Sequence, residues 1–204
     1  MTRFSGTDAQ HMGTLWMLNL NEPFPASIVP RIPAVFTRVG PETTQELAQA
    51  LTESQEAILQ RFNTGRHCYI GRVDGELATY GWVSFNQGGI GEFGLSMRFK
   101  ADEAYIWDCA TLMAYRGQHL YPALLAHILN QLHREGRQRV WIGANVENLH
   151  SQRGFIRVGF QPIVDIMQTV TPAMNSLWMR GHLGASEKDV EDARALFEKE
   201  VTQT

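Results

Sequence analysis

Apolar and polar positions divide the chain into short strand-like runs and longer helix-like segments. Runs of strand length, rich in β-branched and aromatic residues, predict strands at 34–40, 67–73, 77–85, 104–113, 139–146, 160–170 and 175–181. Asp74-Gly75 separates the second of these strands from the third, and this dipeptide is typical of a tight β-hairpin turn. The glycine-bearing segment 86–103 is an insertion in which residues 95–99 form a further short strand.

Helical spacing of apolar positions, together with cap residues, predicts helices at 44–51, 54–65, 120–136, 149–159 and 186–201. Thr43 or Thr44 is placed to cap the first helix, and Gly65 and Gly159 suit the ends of the second and fourth. The order β-α-α-β-β-β-α-β-α-β-β then predicts an α/β fold with one mixed sheet and helices on both of its faces.

The pattern suggests one central domain with additions at both ends. Residues 1–30 are expected to be an N-terminal extension, with a short strand at 14–20 and a proline-rich linker. Residues 31–182 form the domain itself, and 183–204 form a C-terminal helix that opens with a Ser186-x-x-Asp189 capping box. The apolar positions of this helix, Val190, Ala193, Phe197 and Val201, share one face. We therefore expect it to dock on the domain or on a second subunit, which makes a homodimer a candidate assembly.

Composition narrows the function classes. The chain has 204 residues, of which 44% are apolar and 19% charged, as in an ordinary globular protein. The net charge of −3 offers no overall basic field, so no nucleic acid partner is expected. No window reaches the roughly 20 apolar residues of a membrane span, and no signal sequence is recognised, which predicts a cytoplasmic protein without a membrane partner. Cys68 and Cys109 have no paired spacing, and the histidines form no ligand motif, so no metal is expected.

The segment "YRGQHLYPALL", from Tyr115 to Leu125, joins a predicted strand to a predicted helix. A helix N-terminus carries unpaired N–H groups and a partial positive charge, which suit a phosphate group. Pro122 fits the first turn of a helix, and Arg116 can add a charge-assisted contact to an anion. Two interpretations follow from these residues: an anion-binding turn that lacks the usual glycines, or a loop that only begins a core helix.

A second segment, "ENLHSQRGFIRVGF", decides between them. It places Asn148, Ser151 and Gly159-Phe160 at a spacing that, together with the first segment, resembles the GNAT superfamily of acyl-CoA-dependent N-acetyltransferases. The family motif R/Q-x-x-G-x-G/A falls on Arg116, His119 and Tyr121, and the resemblance covers Ala34 to Gly181. It implies a GNAT-like α/β fold with a mixed, mostly antiparallel twisted sheet of about seven strands and helices on both faces.

The resemblance also implies a function and a cofactor. A GNAT-like enzyme moves an acetyl or other short acyl group from acetyl-CoA to a primary amine, by direct attack within a ternary complex. Here the acceptor would be a small-molecule or peptide amine. The residues expected to hold coenzyme A are Thr111, Leu112 and Met113 beside the pantetheine arm, Arg116, Gly117, Gln118, His119, Leu120 and Tyr121 at the pyrophosphate, and Asn148 where two strands separate.

The chain departs from the family pattern at three positions. His119 and Tyr121 replace the two motif glycines, which permit close backbone approach. At the position of the tyrosine that protonates the leaving thiolate in many family members, the chain has Phe155, which cannot donate a proton. A non-catalytic module that binds acyl-CoA as a sensor is therefore the alternative function.

Acetyl transfer requires an uncharged amine. An amine with a pKa near 10.4 is ionised at pH 7, and deprotonating it costs about 4–5 kcal/mol, so a general base is expected. Asp108, on the strand before the loop, and Glu103, at the start of that strand, are the candidates, with Glu92 in the insertion as a third. Tyr105, Trp107 and Cys109 alternate with Asp108, which predicts that only one of these two sets faces the site. For Asp108 the alternative role is a structural carboxylate bonded to a neighbouring strand or helix, and for Glu103 it is a solvated surface carboxylate.

Overall fold

The computed structural model describes residues 9–171 and 174–197. Eight strands form one sheet. They are β1 (Ala9–Asn19), β2 (Val35–Val39), β3 (His67–Val73), β4 (Glu76–Ser84), β7 (Glu103–Thr111), β8 (Arg139–Asn145), β9 (Gln161–Thr171) and β10 (Met174–Gly181). Their spatial order in the sheet is β10-β9-β1-β8-β7-β4-β3-β2. The short strands β5 (Gln87–Ile90) and β6 (Leu95–Arg98) pair separately. Among the strand pairs of the described residues, β7 and β8 are the one parallel pair, so the predicted mixed, mostly antiparallel sheet is confirmed. The count reaches eight because β1 enters the sheet between β9 and β8.

Helices cover both faces of the sheet, as predicted. The helices are α1 (Thr44–Leu51), α2 (Gln55–Asn63), α3 (Leu120–Arg134), α4 (Leu149–Val158) and α5 (Glu187–Ala195). α3 and α4 pack with Trp16 and Tyr69 in one apolar cluster, whereas α1 and α2 pack with Cys68 and Ile70 in another. Adjacent residues of a strand point to opposite faces, so these two helix pairs lie on opposite sides of the sheet. In the part of the chain that is described, no helix is long and apolar enough to cross a bilayer.

Polar side chains begin three of the helices. The side chains of Ser54, Asn148 and Ser186 each accept a hydrogen bond from a backbone N–H in the first turn that follows, as N-cap residues do. Thr43 does not cap α1, because its hydroxyl donates instead to the carbonyl of Gly40 at 2.7 Å. The last helix ends at Ala195, earlier than predicted, because Phe197 pairs with Met97 in an isolated antiparallel bridge. Val201 lies outside the described residues.

One extra residue interrupts β7. Tyr80 of β4 is opposite Ala110, but Trp82 is opposite Trp107, so Gly81 alone faces both Asp108 and Cys109. This is a β-bulge, and Asp108 within it has a φ of +43°. The predicted strict alternation of Trp107 and Asp108 is wrong for this reason. Both residues contact Arg61 of α2, and Cys109 packs into the cluster on the α3 face.

Beyond the bulge, β7 and β8 separate. Their pairing runs only from Glu103 opposite Arg139 to Ile106 opposite Ile142. From Trp107 on β7 and Gly143 on β8 onward the two strands are no longer paired, and we call the space between them the β7–β8 gap. The gap leaves backbone groups of β7 without a strand partner on that side.

We predict that Gly81→Ala destabilises the protein by about 1–3 kcal/mol, the range for overpacking a tight site. A Cβ at Gly81 would lie 2.6 Å from the Cys109 sulfur, so the bulge could not keep its present form. Gly91→Ala is the matched control, since a Cβ there meets no atom within 4 Å. Urea unfolding of the three proteins measures the free energies, and equal losses at the two glycines would contradict this account of the bulge.

Candidate active site

The turn before α3 has the backbone conformation that the family glycines favour. Gly117 has a φ of +79°, and His119, immediately before the helix, has a φ of +60°. A left-handed residue other than glycine costs of order 1–3 kcal/mol, and such residues recur at functional sites as well as in turns. The His119 side chain makes no cap bond to the helix, so it leaves the first-turn N–H groups available to a ligand.

A cavity of about 860 Å³ lies beside this helix N-terminus. Its walls come from the end of β7, the turn, the first residues of α3 and the outer face of α4. The basic side chains that line it are Arg116, His119, His150, Arg153 and Arg157. No aspartate or glutamate is among the lining residues of the described chain, so the cavity is suited to an anion with several charges.

The proline-rich segment 22–33 stabilises the turn. The Arg31 backbone N–H donates to the Gln118 carbonyl at 2.9 Å, and the Arg31 side chain donates to the Gly117 carbonyl at 3.2 Å. Partial desolvation, together with the charges of Arg157 and Arg31, lowers the pKa of the His119 imidazole. His119 therefore remains largely neutral at pH 7, and the arginines supply the positive charge.

Tyr121 lies between α3 and α4. A Cβ on Gly154 would come within 2.7 Å of the Tyr121 ring, so this glycine gives the ring its space. Burial raises the pKa of Tyr121 well above its usual value, the negative charge of a Cys109 thiolate would raise it further, and a hydrogen bond with Ser151 acts in the opposite direction. Phe155 is 1% exposed and packs edge-on against Trp16, so it belongs to the core rather than to the cavity wall.

Backbone groups at the end of β7 alternate between β4 and the gap. The Ala110 carbonyl accepts from the Thr79 hydroxyl at 2.8 Å, and the Leu112 N–H donates to the Ala78 carbonyl at 2.9 Å. The backbone groups of Thr111, between them, therefore point into the β7–β8 gap. The Arg116 side chain already lies at this edge, with Nε 3.3 Å from the Thr111 carbonyl oxygen.

The cavity brings together most of the residues predicted to hold the cofactor. Those that line it are Thr111, Arg116, Gly117, His119, Leu120, Tyr121 and Asn148. Leu112, Met113 and Gln118 are not part of the lining. Leu112 bonds to β4 through its N–H, and the Met113 side chain is 80% exposed.

Asp108 lies at the β7–β8 gap in an ion-pair network. Its carboxylate is 2.5 Å from Arg61 Nη1, and Glu53 is 2.6 Å from Arg61 Nη2. The Arg61 guanidinium also stacks on Trp107 and Trp82, with Cζ 4.8 and 5.1 Å from the ring centroids. One Asp108 oxygen is thus held by Arg61 while the carboxylate stays partly exposed, which leaves the second oxygen for another donor.

Glu103 lies at the opposite end of β7. It is fully buried, with Oε1 2.8 Å from Arg139 Nη2 and Oε2 accepting from the Lys100 N–H at 2.9 Å. At about 3.3 Å per residue, the length of β7 separates it from Thr111 by roughly 25 Å. The structure therefore does not bring Glu103 to the cavity. The alternative of a solvated surface carboxylate is also wrong, because Glu103 is buried and paired with Arg139. The Glu92 side chain lies outside the described part of the chain.

Several residues of the site were not found from the sequence. Arg153 and Arg157 stand four residues apart on α4, a spacing that places them on one helix face and could have indicated the basic wall. Arg61 and Arg66 have no such signal, because their role depends on how α2 docks against Trp82 and Trp107. Both cysteines are free, and burial raises the pKa of each thiol.

Comparison with known proteins gives the family. The sequence matches the acetyltransferase (GNAT) family over residues 34–160, well over half of its length. The chain therefore belongs to the GNAT family of acetyltransferases, as the two motif segments predicted. No curated protein matches the sequence.

Solved structures agree with this fold. A GNAT-family acetyltransferase from Colwellia psychrerythraea is similar with a TM-score of 0.56 and 14% identity, over 79% of this chain and 56% of that one. A tandem GNAT protein from the clavulanic acid biosynthesis pathway has a TM-score of 0.55 and 19% identity, over 74% and 50%. A GCN5-related N-acetyltransferase from Sphaerobacter thermophilus has a TM-score of 0.55 and 14% identity, over 74% and 48%. The chain spans about half the length of these structures, and the likeness concerns the fold alone.

Proposed function

We propose that this protein transfers an acetyl or other short acyl group from acetyl-CoA to a primary amine of a small molecule or peptide. The observation that carries the proposal is the basic cavity at the N-terminus of α3, which has no carboxylate among its described lining residues and lies beside the unpaired edge of β7. Coenzyme A has the matching shape, a phosphate-bearing end joined to a flexible arm with amide groups.

Each part of the cavity corresponds to a part of this ligand. The first-turn N–H groups of α3, with Arg116, would bind the pyrophosphate. Arg153 and Arg157 add positive charge where the phosphate-bearing end would lie. The Thr111 backbone groups would pair with the pantetheine amides, as an added strand pairs with a sheet edge. The thioester would then reach the β7–β8 gap at the bulge.

The acceptor would attack from the opposite face, where Asp108 lies. The amine nitrogen forms a bond to the acyl carbon, the carbon–sulfur bond breaks, and the leaving thiolate takes up a proton. Asp108 would accept a hydrogen bond from the amine and pass its proton to solvent. With Arg61 stabilising the carboxylate anion, this role is to orient the amine and transmit its proton, since a carboxylate is a far weaker base than the amine.

A sensor that binds acyl-CoA without turnover is the second candidate. The observation favouring it is Phe155, which occupies the position of the usual tyrosine acid and is buried in the core. A thiol resembling that of cysteine, with a pKa near 8.5, is a tolerable leaving group without such an acid. Turnover therefore decides between the two functions.

We expect calorimetric titration to show micromolar binding of acetyl-CoA to the wild type. Arg116→Ala and Arg157→Ala should each weaken binding about tenfold, since one charge-assisted contact is worth about 1.5–3 kcal/mol and an exposed one lies at the low end. Arg134→Ala, at the exposed end of α3 away from the cavity, is the matched control and should bind like the wild type. Absence of binding at millimolar acetyl-CoA would contradict the proposal.

We expect Asp108→Asn to lower kcat by about 10²-fold, the low end of the range for general acid–base groups. Acetyl-CoA affinity should stay within about twofold, because Asp108 lies on the acceptor side. The measurement is the release of CoA thiol with a primary amine that the wild type acetylates. Glu103→Gln is the control and should lower stability while leaving kcat unchanged. Loss of kcat in Glu103→Gln with an unchanged kcat in Asp108→Asn would assign the chemistry to Glu103. A wild type that binds acetyl-CoA but acetylates no amine would favour the sensor function.

A further inference from the structure

Arg66 lies at the junction between α2 and β3. It follows Gly65, whose φ of +75° turns the chain, and its backbone N–H donates to the Arg61 carbonyl at 3.2 Å. Its half-buried guanidinium lies over the Trp107 ring, with Cζ 5.0 Å from the ring centroid. The Trp107 ring therefore contacts two guanidinium groups, since Arg61 stacks on it as well.

The two arginines differ in how their charges are balanced. Arg61 is held by Glu53 at 2.6 Å and by Asp108 at 2.5 Å. Among the described residues, Arg66 has no carboxylate within ion-pair distance. The contact that its guanidinium makes is the cation–π contact with the Trp107 indole. Burial and the charge of Arg61 lower the pKa of Arg66. Glu53 and Asp108 are both paired with Arg61, so the partly desolvated Arg66 guanidinium has no anion of its own among the described residues, and a carboxylate placed against it would stabilise its charge.

The position of this cation relates it to the reaction. Trp107 is the last β7 residue before the bulge, where β7 leaves β8. On the other side of the β7–β8 gap, Gly143 is the first residue of β8 that no longer pairs with β7. Cys109 and the basic cavity lie toward α3 and α4, whereas Trp107 and Asp108 face α2. Arg66 is therefore on the acceptor face of the gap.

We propose that the acceptor is an amine that also carries a carboxylate, and that Arg66 binds this carboxylate while the amine lies at Asp108. This inference rests on the proposed acetyl transfer and specifies its substrate class. The guanidinium fork suits bidentate binding of a carboxylate, and the Trp107 ring fixes the plane of that fork. A polyamine would place a second cation against Arg66 and is disfavoured by the same charge.

The test compares amines that differ only in the acidic group. The probes are glycine, L-phenylalanine, L-glutamate and 4-aminobutyrate, each beside the derivative in which every carboxylate is a carboxamide. Initial rates of CoA thiol release with acetyl-CoA give kcat/KM, expressed per unprotonated amine because amidation changes the amine pKa. At least one acid should exceed its carboxamide by about tenfold or more in the wild type, equivalent to about 1.4 kcal/mol.

Variants assign the preference to Arg66. Arg66→Gln should reduce it to within about twofold, and Arg66→Lys should keep part of it, because lysine retains the charge without the fork. Arg137→Gln is the matched control. Arg137 also stacks on an aromatic ring, with Cζ 4.4 Å from the Phe85 centroid, but its guanidinium donates to the Ala101 carbonyl. This control should keep the full preference.

Stability provides a second readout that does not depend on turnover. Arg66 makes no ion pair with a described residue, so its replacement removes little that stabilises the fold, and Arg66→Gln should melt within about 2 °C of the wild type. A large loss of thermal stability would instead show that Arg66 is structural and would overturn the inference.

The other outcomes separate the inference from the proposed function. The acidic acceptor would be overturned if the carboxamides react as well as the acids, or if the preference for the acids survives in Arg66→Gln. It would also be overturned if none of the acids is acetylated by a protein that binds acetyl-CoA. Failure to bind acetyl-CoA, measured on the same preparation, would instead overturn the acetyl transfer on which it rests.

Discussion

The bulge in β7 is the constraint on which the site depends. Because Gly81 alone faces Asp108 and Cys109, the alternation of side chains along β7 is shifted by one residue. Asp108 therefore lies on the same face as Trp107, toward α2. Pairing with β8 has already ended at Ile106, so a gap opens between the two parallel strands. In the proposed function, a cofactor on the α3 face and an acceptor on the α2 face would meet at this gap.

Charge is distributed differently on the two sides of this gap. On the α3 side, arginines from the turn and from α4 surround a cavity with no acidic lining residue among those described, which favours a ligand with several negative charges. On the α2 side, Glu53 and Asp108 hold Arg61, while Arg66 stacks on the same indole without a carboxylate. An arginine at position 61 thus stabilises the structure, whereas the arginine at position 66 is available to a ligand. The difference between the two follows from the carboxylates beside each guanidinium.

The sequence was sufficient for most of the fold and for the cofactor side of the site. Alternation, cap residues and the Asp74-Gly75 turn depend on local chemistry, so the hairpin and the helix starts at Ser54 and Ser186 could be predicted. The bulge could not, because it depends on a contact between Gly81 and Cys109, 28 positions apart in the chain. For the same reason the sequence did not show that Glu103 is buried against Arg139 whereas Asp108 lies at the gap.

A crystal structure of the complex with acetyl-CoA tests the central claim most directly. The account predicts the pyrophosphate at the N-terminus of α3, pantetheine amides bonded to the Thr111 backbone, and the acyl carbon in the β7–β8 gap between Trp107 and Gly143. The face of the acyl carbon that is open to attack should be directed toward Asp108 and Arg66. Acetyl-CoA bound elsewhere, or with its thioester directed away from the gap, would contradict the claim that the bulge creates the site of transfer.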